Sequence, residues 1–185
     1  MTQVLSSRKR RMLRLMNLWP LLGAGIRVVR MDAELREIDV EMRIRRWNRN
    51  YVGAHFGGSL FPMTDPFYMM MVMEGLGRGF VVWDKAASIR FRRPGKSKVR
   101  AEFRLSAERL EEIRSTVERE GVCEPRFSVE VRDVSGVMVA EVERVLFCAT
   151  KEAYAARVTA RGAGTALGDA EGAVSRIQAS RIQSG

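Results

Sequence analysis

The sequence predicts an α+β fold in which a curved antiparallel sheet of about six strands wraps around one buried central helix. Three observations carry that expectation. Strict alternation runs from Arg36 to Arg46, with Ile38, Val40, Met42 and Ile44 on one face and Glu37, Asp39, Glu41, Arg43 and Arg45 on the other, the pattern of a half-buried antiparallel strand. The segment Gly58 to Leu76 carries Leu60, Phe61, Met63, Phe67, Met69 to Met73 and Leu76, which leaves no polar stripe to face water. That segment must therefore be buried, yet it is too short, and too interrupted by Thr64 and Asp65, to span a bilayer, where about 20 apolar residues are needed; a curved sheet wrapping it would satisfy both facts.

The elements follow in order. Residues 8 to 19 place Met12, Leu13, Met16 and Trp19 near helical spacing among Arg8, Lys9, Arg10, Arg11 and Arg14, a basic amphipathic helix that Pro20 is expected to stop. Arg14 and Asn17 interrupt its apolar stretch and no clean small-x-small site follows, so it does not read as a signal peptide. A weaker strand covers 26 to 34. Beyond the apolar segment, Phe80 to Arg93 reads as a long strand, then Val99 to Leu105 as another. Ser106 is placed to cap a helix with Leu110, Ile113 and Val117 on one face, ending at Gly121. Phe127, Val129 and Val131 alternate again, and the turn Asp133 to Gly136 leads into a last strand, Val137 to Cys148. Past Lys151 the chain turns to Ala, Gly, Ser, Arg and Gln with little large apolar content beyond Tyr154. The expected organisation is therefore an N-terminal basic helix over 1–24, one domain over 25–151, and a mostly disordered tail over 152–185.

Composition narrows the function classes. The 185 residues suffice for one domain with a substantial core. The formal net charge of +10 is concentrated between Arg8 and Arg14 and between Lys85 and Arg104, where eight basic residues face Glu102 alone. Such an excess suits an anionic partner, but no aromatics or recognition motif interleave with it, so no nucleic-acid partner is expected. Cys123 and Cys148 lack metal-ligand spacing and read as buried free thiols of a reducing, cytoplasmic compartment. His55 is the single histidine, which excludes a multi-histidine metal site or a two-histidine dyad.

The chemistry gathers between Asn50 and Asp65. Gly57 and Gly58 open the expected helix, where absent side chains let a ligand approach unpaired N–H groups that favour an oxygen gaining negative charge. Asn50 adds a side-chain donor to the same carbonyl or binds a water. Asp65 follows Gly58 by seven residues on a helix expected to be buried, and two readings stand for it. It takes local hydrogen bonds and shapes the kink that Pro66 causes, or it acts as a general base for water or as a nucleophile. His55 either orders the loop through backbone hydrogen bonds or helps to position substrate. Asp84, on a strand beside Lys85, is a reserve carboxylate.

The order strand, strand, glycine-rich loop, buried helix and four strands resembles the hotdog fold. The run Asn50 to Asp65 is similar to the loop of the phenylacetate-pathway type of hotdog acyl-CoA thioesterases, in which an Asn precedes a His-Gly-Gly and an acid follows. Asn48 to Leu60, Met63 to Met69 and Val82 to Ala87 also resemble an uncharacterised bacterial family grouped with them. The resemblance covers roughly residues 20 to 150. It departs from the motif at one place: Phe56 abuts the glycine pair and His55 is displaced by one. What it implies is a homodimer, or a tetramer built from it, with Asn50 and Gly58 of one chain facing Asp65 of the other. Asp65-activated water would attack an acyl-CoA thioester held by Gly57, Gly58 and Asn50. His55 and Phe56 would contact the substrate, and Arg90, Arg92 and Arg93 would meet the phosphates of coenzyme A, which enters as part of the substrate and not as a cofactor. The alternative is a non-catalytic hotdog protein that binds an acyl ligand or only dimerises.

Overall fold

The computed structural model describes residues 19–160. Helix α1 (Trp19–Gly23) leads into strands β1 (Ile26–Met31) and β2 (Glu37–Met42). The central segment follows as α2 (Gly57–Leu60), a 3-10 turn (Pro62–Thr64) and α3 (Phe67–Leu76). The remaining elements are β3 (Phe80–Phe91), β4 (Val99–Arg104), α4 (Ala107–Glu120), β5 (Val122–Cys123), β6 (Arg126–Asp133) and β7 (Met138–Thr150). The strands pair antiparallel in the order β1-β2-β4-β6-β7-β3, with the short β5 added on β7. This is the hotdog arrangement, an open curved sheet around a central helix.

The inner face of the sheet supplies Ile38, Val40, Met42, Phe103, Val129, Val131, Val142 and Leu146, and the central segment answers with Met63, Phe67, Tyr68, Met71 and Val72. Phe103 is fully buried, 4.8 Å from the Phe67 ring and 5.3 Å from the Tyr68 ring, and Tyr68 stacks on Phe127 at 4.3 Å. The methionines of α3 are packing residues, with Met70 and Met71 buried and Met69 and Met73 at the margin.

Helix α4 matches its sequence signals. Ser106 Oγ accepts the Arg109 N–H at 3.1 Å, Leu110, Ile113 and Val117 are buried, and Gly121 closes the helix at φ +77°, a left-handed conformation suited to glycine. Removing that cap in Ser106→Ala should cost about 1 kcal/mol, read as a lower urea midpoint with an unchanged slope.

Several expectations need correction. The central segment is not one kinked helix. Proline disfavours helical backbone in the residue before it, and Asp65, preceding Pro66, is extended at φ −77°, ψ 167°. Pro20 does not end a helix either, since α1 runs through it, and the rest of the expected N-terminal helix lies outside the described residues. Strand β2 stops at Met42 because Asn48 takes over the backbone beyond: its Oδ1 accepts the Arg45 N–H at 2.6 Å and its Nδ2 donates to Arg43 O at 2.9 Å. Asp39, expected on the solvent face, is fully buried beneath arginines, with Arg100 Nη2 at 2.7 Å and Arg104 Nη1 at 2.6 Å. A helix over residues 151–160 takes in the first part of the expected tail, 152–160, and Tyr154 meets the Trp83 ring edge-on at 5.2 Å. Both thiols are free and face each other in register across β5 and β7. Cys148 is buried, which raises its pKa to about 12, whereas Cys123 is only half-buried.

Candidate functional site

The loop from Asn48 to Gly58 is built by its own polar groups. Asn50 Oδ1 accepts the N–H groups of Val52 and Ala54 at 3.1 and 3.0 Å, and its backbone N–H donates to Ala54 O at 2.7 Å. Gly53, at φ +79°, makes the left-handed step that closes this turn. The His55 N–H then donates to Gly95 O at 2.8 Å and the Phe56 N–H to Asn48 O at 3.0 Å, which pins the loop to the β3–β4 connection.

His55 is 3% exposed, and its Nε2 donates to Ser97 O at 2.8 Å, which leaves Nδ1 as the unprotonated nitrogen, buried with no partner among the described residues. Burial lowers its pKa, partly opposed by the bond to Ser97. Since the unfolded chain takes up this proton first, stability should fall as the pH drops below about 6.5 toward the folded value, and the effect should disappear in His55→Gln. No other histidine titrates in that window. A pH series of denaturation midpoints reads it. The one-residue shift thus has a structural outcome: His55 points inward and Phe56, 56% exposed, points out.

Gly57 and Gly58 begin α2, a helix of only four residues, so little macrodipole supports them. What they offer is two N–H groups without an acceptor among the described residues. A Cβ at Gly57 would sit 3.0 Å from Phe91 Cζ, and one at Gly58 would overlap the Phe56 ring. Both positions therefore require glycine unless an aromatic ring moves.

A depression of about 340 Å³ opens here, lined by Asn50, Val52, Ala54, His55, Gly57, Leu60 and the segment Phe91 to Gly95. It brings together Asn50, His55, Gly57, Arg92 and Arg93 of the expected site. Gly58 and Phe56 stand beside it, and Arg90 lies on β3 opposite Glu141, outside the lining. Arg92 Nη2 bonds Glu141 Oε2 at 2.8 Å, while Arg93 makes no ion pair among the described residues. The Asn50 Nδ2 group makes one long bond, to His55 O at 3.4 Å, and so keeps a hydrogen for a ligand.

Asp65 does not line this depression in the same chain. Its side chain is 50% exposed, not buried as expected, and its Oδ1 meets Arg144 Nη1 at 2.5 Å. Arg144, 3% exposed, also reaches Asp84 Oδ1 at 3.4 Å, Phe61 O at 3.4 Å and Thr64 Oγ1 at 3.4 Å, and its guanidinium lies 4.9 Å from the Phe61 ring centroid. Burial raises the pKa of Asp84, while the Arg144 charge opposes the rise and that of Asp65 adds to it. Arg144 escaped the sequence reading, although a signal existed: it occupies an inner-face position of β7 between the buried Val142 and Leu146.

A family model described as Domain of unknown function (DUF4442) matches residues 8–147. The chain belongs to the DUF4442 family. Among solved structures, this DUF4442 protein is similar to PA5026 of Pseudomonas aeruginosa, a protein of unknown function named a probable thioesterase: 22% identity over 81% of this chain and 99% of that one, TM-score 0.71. It is also similar to thioesterase HI1161 of Haemophilus influenzae, at 13% identity over 80% and 94% of the two chains, TM-score 0.58. A Chlorobaculum tepidum protein of unknown function, OLEI01261, matches at 14% identity over 77% and 92%, TM-score 0.61. At these identities the likeness establishes the shared fold. No curated protein matches the DUF4442 chain. Among its described residues, no helix is long and apolar enough to cross a membrane.

Proposed function

We propose that this DUF4442 protein is a thioesterase that hydrolyses an acyl-CoA, acting as a homodimer. The observation that carries the reading is the depression at Gly57, where unpaired N–H donors, the remaining Asn50 hydrogen and the cations of Arg92 and Arg93 converge beside apolar walls. The names of PA5026 and HI1161 support the same class. In this reading the carbonyl oxygen sits on the Gly57 and Gly58 N–H groups, with Asn50 as a further donor. Asp65 of the second chain takes a proton from water as the water oxygen attacks the carbonyl carbon. The C–S bond breaks, and the departing thiolate receives that proton. The acyl chain lies toward the methionine side of α3, and Arg92, Arg93 and Arg90 face the phosphates of coenzyme A.

The edge strand β3 supports the dimer. It is 12 residues long, pairs with β7 on one side only among the described residues, and exposes Ala86, Ala87, Ser88 and Phe91. Unpaired edges of this length are usually covered. The ion pair from Arg144 to Asp65 favours a second reading, a hotdog protein that binds an acyl ligand without cleaving it, because one carboxylate oxygen is already occupied by a cation of the same chain. A panel of acyl-CoAs of graded chain length, followed by thiol release and by calorimetric binding, separates the two. Release above background from at least one is expected. Binding with no release across the panel would overturn the hydrolase.

A further inference from the structure

A cation in a sheet's inner face needs an account, and Arg144 has an unusual one. Along β7 the residues that enter the core are Ala140, Val142, Leu146 and Cys148, and Arg144 stands in the middle of that row. Burying a guanidinium is costly unless it is paired and hydrogen-bonded. Its pairing is uneven: one cation serves two carboxylates, Nη2 is tied to Phe61 O and Thr64 Oγ1, and Nε is buried without a partner among the described residues. Replacing a whole buried ion cluster of this kind by apolar residues is often neutral or stabilising for a fold, so stability alone does not account for the cluster.

The backbone is shaped around this cluster. In the β3–β7 ladder Asp84 is opposite Leu146 and Ala86 is opposite Val145, so Lys85 is an extra residue, a β-bulge. The bulge changes the side-chain phase of β3. It sets the small Ala87 directly across from Arg144 and turns Asp84 toward the guanidinium, while Lys85 leaves on the other face to pair with Glu124 at 2.6 Å. From the other side, Pro66 holds Asp65 extended so that its carboxylate meets the same cation.

We propose that Arg144 and Asp84 are positioning residues for Asp65, fixing its Oδ1 through a single guanidinium nitrogen so that Oδ2 faces outward as the proton acceptor. This rests on the reading of Asp65 as the base for water. Anchoring Nη2 on Phe61 O and Thr64 Oγ1 prevents a two-pronged grip that would occupy both carboxylate oxygens. Asp84 holds the guanidinium from the sheet side. Arg144→Lys preserves the charge and loses the fork.

The test compares four variants of the full chain on the most rapidly cleaved acyl-CoA, with thermal melting to confirm folding. Arg144→Lys and Asp84→Asn should each lower kcat by about tenfold or more with KM within about twofold, since only the aim of Asp65 changes. Guanidinium chloride at millimolar concentration should restore part of the turnover of Arg144→Ala and none of that of Asp65→Asn. If Arg144→Ala does not fold, the lysine and asparagine variants decide. Both retaining kcat within about twofold, while Asp65→Asn loses it, would overturn the positioning role and leave the hydrolase reading intact. An Asp65→Asn variant with full turnover would instead remove the reading on which the role depends.

Discussion

Asp65→Asn is expected to lower acyl-CoA hydrolysis by about 10²–10⁴-fold, the usual contribution of a positioned general base. The substitution keeps the size of the side chain and leaves a carbonyl oxygen to accept from Arg144 Nη1, while Asp84 remains as a counter-charge for the buried guanidinium, so the variant should lose some stability and still melt as a folded protein. Folding and chemistry are thus separable at this position. The assay is thiol release under single-turnover conditions, where a fall in rate with unchanged binding assigns the loss to the chemical step. Wild-type turnover in the folded variant would refute Asp65 as the base.

Phe103→Ala should have the largest effect on stability, about 3–5 kcal/mol. The ring is wholly buried, contacts Phe67 and Tyr68, and connects β4 to the central helix, so its removal leaves a cavity that two other aromatic rings cannot fill without leaving their own positions. Against a total stability of about 5–15 kcal/mol, that loss brings the domain close to unfolding at moderate temperature. Urea denaturation of Phe103→Ala and Phe103→Leu gives the measure, the leucine variant losing less because it refills part of the volume. Equal midpoints for wild type and Phe103→Ala would contradict the packing described.

What the chain order makes legible is whatever is decided locally. Helix α4 is readable at both ends because Ser106 and Gly121 each act on backbone within a few residues. The inward turn of His55 follows from its single-residue displacement relative to the glycine pair, since neighbouring side chains in extended backbone point apart. Local knowledge was also enough to place Asp65 outside a helix, through the residue following it, yet Pro66 reads more readily as the cause of a kink than as a constraint on its predecessor. Distant pairings are another matter. The cation on Asp65 comes from 79 residues away, and the arginines that bury Asp39 come from neighbouring strands, so no window along the chain contains both partners. The end of β2 is of the same kind on a smaller scale, because Asn48 competes for the strand's hydrogen bonds from the following loop.

The position of β7 has a consequence for how the molecule is made. It lies between β6 and β3, and its ladder with β3 joins Phe80 to Thr150 at one end and Phe91 to Ala140 at the other, partners 70 and 49 residues apart in the chain. During synthesis, β3 therefore emerges well before the one strand it pairs with among the described residues, and that edge stays open until β7 has left the ribosome. The completed sheet, the buried guanidinium and the aimed carboxylate all arrive in that final step, so a chain interrupted before β7 carries every residue of the glycine loop and none of the geometry at Asp65.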